Sequence, residues 1–190
     1  QLTCIGDDRA YTYLASRNGN TRIDRIAKRV LSTRPNVRHY SYLGRGSDER
    51  TYCAPGIDLP LVSIMRSRYG DYPEYHTSLD DLDNVVTPQG LQGGLDAVKD
   101  CIEILETENV LTAKTFGEPQ LGRRGLYHTM LNKHTSDEVM LRTNVLAYAD
   151  GQHSVADMEE LFGEDRRAIE RVVRELESHA LIQQKFQGMS

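Results

Sequence analysis

The sequence predicts an α/β domain followed by a small winged-helix domain, and three observations carry that prediction. Short apolar runs bounded by glycine, proline and charge, "LTCIG" and "LPLVSIMRS", have the length and composition of buried strands. Long stretches beside them repeat apolar residues at helical spacing. Near residue 112 the composition loosens, and from Glu138 three short helical patterns follow, with Leu181-Ile182 after the last. That order suits a winged helix. The 190 residues suffice for a medium domain plus a small one.

Taken in order, "LTCIG" reads as a strand running through Gly6 into a loop. "NTRIDRIAKRVLS" places Ile23, Ile26, Ala27, Val30 and Leu31 on one helical face, and Thr21 with Asp24 forms a capping box. "NVRHYSYL" alternates as a strand over about 36–43. "GRGSDERTYCAPG" is a charged, glycine-rich loop, and "LPLVSIMRS" has the continuous apolar run of a central strand. Thr87 caps a helix with Pro88 at its first position. Leu91, Leu95, Val98, Ile102 and Leu105 give that helix its apolar face. The expected divisions are an α/β domain over 1–111, a linker over 112–136 packed on it, and a winged helix over 137–190, with "DGQHS" as a turn.

Charge and cysteine usage narrow the setting. A formal net charge of −5 argues against a protein held on nucleic acid by bulk charge. Cys4, Cys53 and Cys101 are dispersed and form no C-x-x-C pair, which suits reduced thiols in a cytoplasm. Cys53 is expected to be a buried, inert thiol. No apolar run is long enough to span a membrane, and no secretory leader pattern opens the chain. The first residues read like the inside of a strand, so the chain is expected to be a fragment of a longer protein.

The most unusual text is "GDYPEYHTSLDDLDNV", residues 70–85, where His76 sits among Glu74, Asp80, Asp81 and Asp83 in a segment too polar for core. A lone histidine in an acidic loop is as a rule solvated or ion-paired. Asp80, Asp81 and Asp83 also suit a plain charged surface or the acidic approach to a helix start. Yet imidazole and carboxylate are the ligands zinc prefers.

At "EYHTSLDDLDNV" the chain resembles the last metal-ligand motif of zinc-dependent aminopeptidases with the phosphorylase/hydrolase-like α/β/α fold. The wider run "GSDERTYCAPGIDLPLVSIMRSRYGDYPEYHTSLDDLDNV", with "GEPQLGRRGLY" downstream, resembles a bacterial aminopeptidase-like family. Its members are labelled polysaccharide-biosynthesis proteins with an aminopeptidase-like domain and carry a C-terminal winged helix. The resemblance implies that the chain is the C-terminal part of such a domain, acting on a peptide or related amide with zinc as cofactor. By the same resemblance His76 is a metal ligand, and Thr77 and Asp80 hold its ring or its loop. Tyr75 donates to the tetrahedral intermediate, and Ser47 and Asp48 line the substrate pocket. The relatives' first half, with its His, bridging Asp and general-base Glu, is not in this chain. Where they carry an Asp at the end of the strand, Thr3 and Cys4 stand here. Asp7, or Asp8 beside it, is then the nearest carboxylate, so a mononuclear site or none remains open.

The last helical pattern, "EDRRAIERVVRELE", sets Arg166, Arg167, Arg171 and Arg174 against Glu164, Asp165, Glu170, Glu175 and Glu177. That balance lacks the basic stripe of a DNA-binding helix and points to protein docking or domain packing. Two functions follow: a metallo-hydrolase, or a non-catalytic binding module whose winged helix docks a protein partner. Homo-oligomerisation is left open.

Overall fold

A computed structural model describes residues 1–127 and 137–185. The chain divides into two compact units, Gln1–Leu105 and Glu106–Ser190.

The first unit is built on a three-stranded sheet of order β2-β1-β3: β1 Tyr11–Leu14, β2 Val37–Tyr40 and β3 Ser63–Met65. β1 pairs parallel with β2 and antiparallel with β3. Its side chains alternate between faces, as strand geometry requires. Tyr11, Tyr13 and Ala15 share a core with Val62 and Ile64, with Ile26, Ala27, Val30 and Leu31 of α1 (Arg22–Ser32), and with Ala97 and Cys101 of α3 (Pro88–Thr107). Leu14 and Met65 pack on the other face with Tyr69, edged by Cys4, Tyr40 and Tyr75. A short α2, Glu49–Tyr52, lies between β2 and β3.

The capping box at α1 forms as expected. Asp24 accepts from the Thr21 amide at 2.8 Å and its hydroxyl at 2.5 Å. The Thr87 hydroxyl likewise accepts from the Gly90 amide at 2.9 Å at the start of α3.

Three expectations for this unit need correction. "LTCIG" is a single parallel bridge, Leu2 to Ile64, because Cys4 turns into the left-handed region at φ 48° and breaks the ladder. The central strand is β1, which sequence reading passed over, and "LPLVSIMRS" yields only the three residues of β3. The buried face of α3 is Gly90, Gly94, Ala97 and Cys101; of the expected apolar face, Val98 and Leu105 are half-buried against the core, whereas Leu91, Leu95 and Ile102 are exposed. The reason is steric. A Cβ at Gly90 would lie 2.0 Å from the Gly6 carbonyl oxygen, and one at Gly94 would lie 2.8 Å from that of Ile5. Only glycine lets the helix backbone come this close to the chain beneath it.

The second unit is a winged helix-turn-helix. β4 (Val110–Ala113) runs between β5 (Asp150–Ser154) and β6 (Ile182–Lys185), antiparallel to both. Helices α4 (Asp137–Ala147), α5 (Val155–Phe162) and α6 (Arg166–Ser178) supply its core with Val145, Met158, Ile169, Val172 and Leu176, alongside Leu111, Leu181 and Ile182. Buried Arg142 is held by Glu175 at 2.8 and 3.0 Å and by Glu138 at 3.1 Å. "DGQHS", expected as a turn, is β5. The expected boundary after residue 111 and linker over 112–136 differ from what is observed. The units divide at Leu105, β4 belongs to the second sheet, and Leu121 and Leu126 are buried in the second core. Residues 128–136 of that segment lie outside the described residues.

Candidate metal-ligand loop

The His76 loop leaves the sheet at the end of β3. Tyr69, Tyr72 and Tyr75 recur every three residues and brace it. Tyr69 and Tyr72 are buried, and Tyr75 packs edge-on against Tyr72, with ring centres 5.7 Å apart, and on the Leu14–Met65 core. His76 is exposed, its backbone is left-handed at φ 58°, and its ring stacks on Tyr75 with centroids 4.0 Å apart and planes 16° apart. A non-glycine residue in that region is uncommon and marks a local constraint.

Thr77 and Asp80 brace the loop and make no bond to the imidazole. The Thr77 hydroxyl donates to the Glu74 carbonyl at 2.7 Å and accepts from the Leu79 amide at 3.2 Å. Asp80 accepts from the Tyr72 hydroxyl at 3.1 Å. Burial, with Cys4 and Asp80 beside it, pushes the Tyr72 phenol well up, so it stays a donor. Glu74 is clamped by a bidentate pair with Arg9, both bonds 2.9 Å. That bond holds its carboxyl below the ordinary range. Arg9 thereby ties the His76 loop to the turn that carries Asp7.

Asp7 is buried, and three donors occupy it. The Ser67 amide (2.7 Å) reaches Oδ2, while the Ser67 hydroxyl (2.8 Å) and the Arg9 amide (2.9 Å) reach Oδ1. A carboxylate has about four lone-pair sites, so Asp7 serves first as a clasp between the first loop and the end of β3. Asp8 is exposed and accepts from Thr87 at 3.2 Å.

The "GSDE" loop places Ser47 half-buried and Asp48 exposed, at the start of α2. Its buried member is Glu49, which sequence reading did not single out. Glu49 Oε1 accepts from the Gly46 and Ser47 amides (2.7 and 3.1 Å) and from the Tyr69 hydroxyl (2.5 Å). Burial alone would raise this carboxyl, but the Tyr69 and backbone donors outweigh it and hold it below the ordinary range. Through Tyr69, whose ring lies 6.4 Å from that of Tyr75, Glu49 joins the "GSDE" loop to the base of the His76 loop. An acid immediately before an apolar-poor helical turn, with Gly and Ser amides just upstream, was the available signal. The other missed feature is Arg66, buried, stacked 3.8 Å over Tyr11 and donating to the Ala10 carbonyl at 2.8 Å. Gly93 makes room for this stack, since a Cβ there would meet the guanidinium at 2.1 Å. Cys53 is buried, with its thiol 3.5 Å from the Leu61 carbonyl.

The chain is thus a mixed α/β unit that carries the histidine loop between β3 and α3, followed in sequence by a winged helix-turn-helix. Residues 1–108 match the family model of a domain of unknown function, DUF4910, and the chain belongs to that family. Residues 108–184 match a winged helix-turn-helix model. A Clostridium acetobutylicum protein with the provisional name polysaccharide biosynthesis protein with aminopeptidase-like domain is 34% identical over 174 residues, covering 88% of this chain and 39% of its own length. A 2.37 Å crystal structure of a protein from the same organism, provisionally named a peptidase, aligns with a TM-score of 0.61 at 30% identity, covering 97% of this chain and 41% of that one. The chain thus spans about two fifths of the length of these relatives.

Proposed function

We propose that this chain carries the His76 ligand loop of a zinc-dependent aminopeptidase-like hydrolase acting on an N-terminal peptide or related amide bond. The observation that carries the reading is the His76 ring itself, exposed at the end of the sheet and fixed by stacking on Tyr75. The names of the relatives support the class.

A catalytic zinc takes about three protein ligands and an open position. Among the described residues no group of three or more His, Cys, Asp or Glu side chains is gathered to hold a metal. The chain's own residues therefore do not fit a complete site. What they do is positional. The tyrosine ladder and the Arg9–Glu74 clamp hold His76 in place, Thr77 and Asp80 stiffen the loop, and Tyr75 stacks its ring on the imidazole. Ser47 and Asp48 offer polar groups from the neighbouring loop.

Tyr75 is the group to test on activity. In a fusion of this chain to the unmatched part of the Clostridium acetobutylicum relative, with aminoacyl amides as substrates, Tyr75→Phe should lower kcat by about 100-fold, the typical effect of losing one oxyanion donor, with KM little changed. An unchanged kcat would remove Tyr75 from the reaction. The occupied carboxylate of Asp7 favours a second reading, a binding module without hydrolysis that docks a protein partner through its winged helix. A fusion that hydrolyses no aminoacyl amide yet binds one would select it.

A further inference from the structure

Where the His76 loop leaves the sheet, arginines gather, although the chain as a whole carries a net charge of −5. Arg68 lies over the Tyr40 ring at 4.5 Å and the Tyr69 ring at 5.6 Å. Its guanidinium also rests on Gly44, where a Cβ would meet Nη1 at 3.0 Å. Arg45 follows Gly44 and lies over the Tyr42 ring at 4.6 Å. Arg38 is exposed on β2. A guanidinium held against aromatic faces keeps its charge and its plane, and it loses little further freedom when an anion binds.

These cations are only partly neutralised. Asp71 serves two of them, with Oδ1 3.4 Å from Arg68 Nε and Oδ2 4.0 Å from Arg38 Nη1. That Oδ2 already accepts from the Tyr40 hydroxyl at 2.6 Å. Arg68 Nε is buried and makes no hydrogen bond among the described residues. Arg45 donates one long bond, to the Tyr42 carbonyl at 3.4 Å. Asp48 and Arg50, just beyond at α2, cancel each other in charge. Three arginines against one aspartate leave an excess of two positive charges. Like charges gathered on half-desolvated side chains repel, and a bound anion relieves that repulsion.

The cluster adjoins the His76 loop. Tyr40 and Tyr75 both pack on the Leu14, Met65 and Tyr69 cluster. The Tyr69 and Tyr75 rings lie 6.4 Å apart, and His76 stacks on Tyr75. Arg68 is thus linked to the imidazole through a run of ring contacts, and Arg45 stands two residues before Ser47. We propose that Arg68, with Arg45 beside it, forms an oxyanion subsite, so that the amide bound here carries a carboxylate or a phosphate on its side chain. The amide itself rests on the hydrolase reading above. The preference for an anion belongs to the arginines.

The test is binding to the 190-residue chain, followed by NMR titration with three amides: glutamic acid α-amide, phosphoserine amide and glutamine amide. The last has nearly the shape of the first and a neutral side chain. At least one acidic amide should bind at least about 10-fold tighter than glutamine amide, the effect of a hydrogen bond to a charged partner. Which of the two does so separates carboxylate from phosphate. Arg68→Gln should bring the acidic amides to the level of glutamine amide, and Arg68→Lys should restore part of the preference. Arg45→Gln, at an exposed position that packing does not constrain, should lower the preference by about 2–5-fold. Equal binding of the three amides, binding of none, or an acid preference that survives both glutamine substitutions overturns the proposal. No metal or turnover enters the readout. A protein that fails to hydrolyse therefore leaves this test intact, and equal binding of the amides leaves the hydrolase reading intact.

Discussion

Asp24 is the most heavily bonded side chain of the first unit. Fully buried, it accepts from the Tyr13 hydroxyl, the Ser16 amide and hydroxyl, and the Thr21 amide and hydroxyl. Burial by itself would raise its pKa, but the Ser16, Thr21 and Tyr13 donors together bring it below the ordinary carboxylate value. A carboxyl depressed in the folded state stabilises above its unfolded pKa, about 4, and that stabilisation is lost as pH falls through the folded value. Asp24→Asn should therefore cost about 2–3 kcal/mol at pH 7, and denaturant midpoints should show the gap from wild type narrowing below about pH 4. The capping half of this network was legible, because Thr21 and Asp24 stand at box spacing. The Tyr13 half was not, since it depends on a strand that passes over the helix start. Gly90 illustrates the same limit. Its place in "PQGLQGG" gives no hint of the carbonyl that a Cβ would strike, yet Gly90→Ala should destabilise the first unit by about 1–3 kcal/mol, the usual range for overpacking. A denaturant midpoint equal to wild type would show that the loop can yield.

The elements show where periodicity informs and where it misleads. The apolar repeat of α3 is real, and the helix spans Pro88–Thr107. But of that repeat only Val98 and Leu105 reach the core, while Leu91, Leu95 and Ile102 are exposed, because Gly90, Gly94, Ala97 and Cys101 take the inner face. Periodicity finds a helix and an apolar stripe; it cannot say that the stripe faces inward. β1 escaped notice because "YTYL" mixes tyrosine and threonine, and both of its faces are buried by partners distant in sequence. The winged helix was legible in its helices and illegible in its sheet, whose strands β4, β5 and β6 are short and polar in part. Its last helix, α6, pairs Arg166 with Glu170 at 3.1 Å, and Glu175 is engaged by Arg142. With that balance, no sequence-specific duplex binding is expected at physiological ionic strength. Binding of one duplex sequence at least about 1,000-fold tighter than a scrambled duplex, measured by fluorescence anisotropy, would contradict this.

At the scale of the whole chain, the first unit packs a cluster on each face of its sheet and the second unit packs one. Leu14 lies in the first unit, and Val172 in the second. Unfolding should resolve into two transitions. Leu14→Ala should shift only one, by about 2–5 kcal/mol, and Val172→Ala only the other. A single transition displaced by both variants would show one cooperative body. The motif order carried the family and the general architecture, whereas the unit boundary was misplaced because "VLTA" reads as loosened composition until its partners in β5 and β6 are seen. The His76 loop was legible as text, and its tyrosine ladder and the Arg9–Glu74 clamp became visible only with the fold. The central claim is that His76 is a metal ligand, and metal content per chain tests it most directly. The measurement compares the 190-residue chain with a fusion of it to the unmatched part of the Clostridium acetobutylicum relative, each as wild type and as His76→Ala, with Asp80→Ala made in the fusion. The account predicts little zinc in the chain alone and stoichiometric zinc in the fusion. It further predicts loss of that zinc in His76→Ala, and a fall of about 10–100-fold in affinity for Asp80→Ala, as for a residue that only positions a ligand. A His76→Ala fusion that keeps its zinc would contradict it and leave residues 70–85 a polar surface loop.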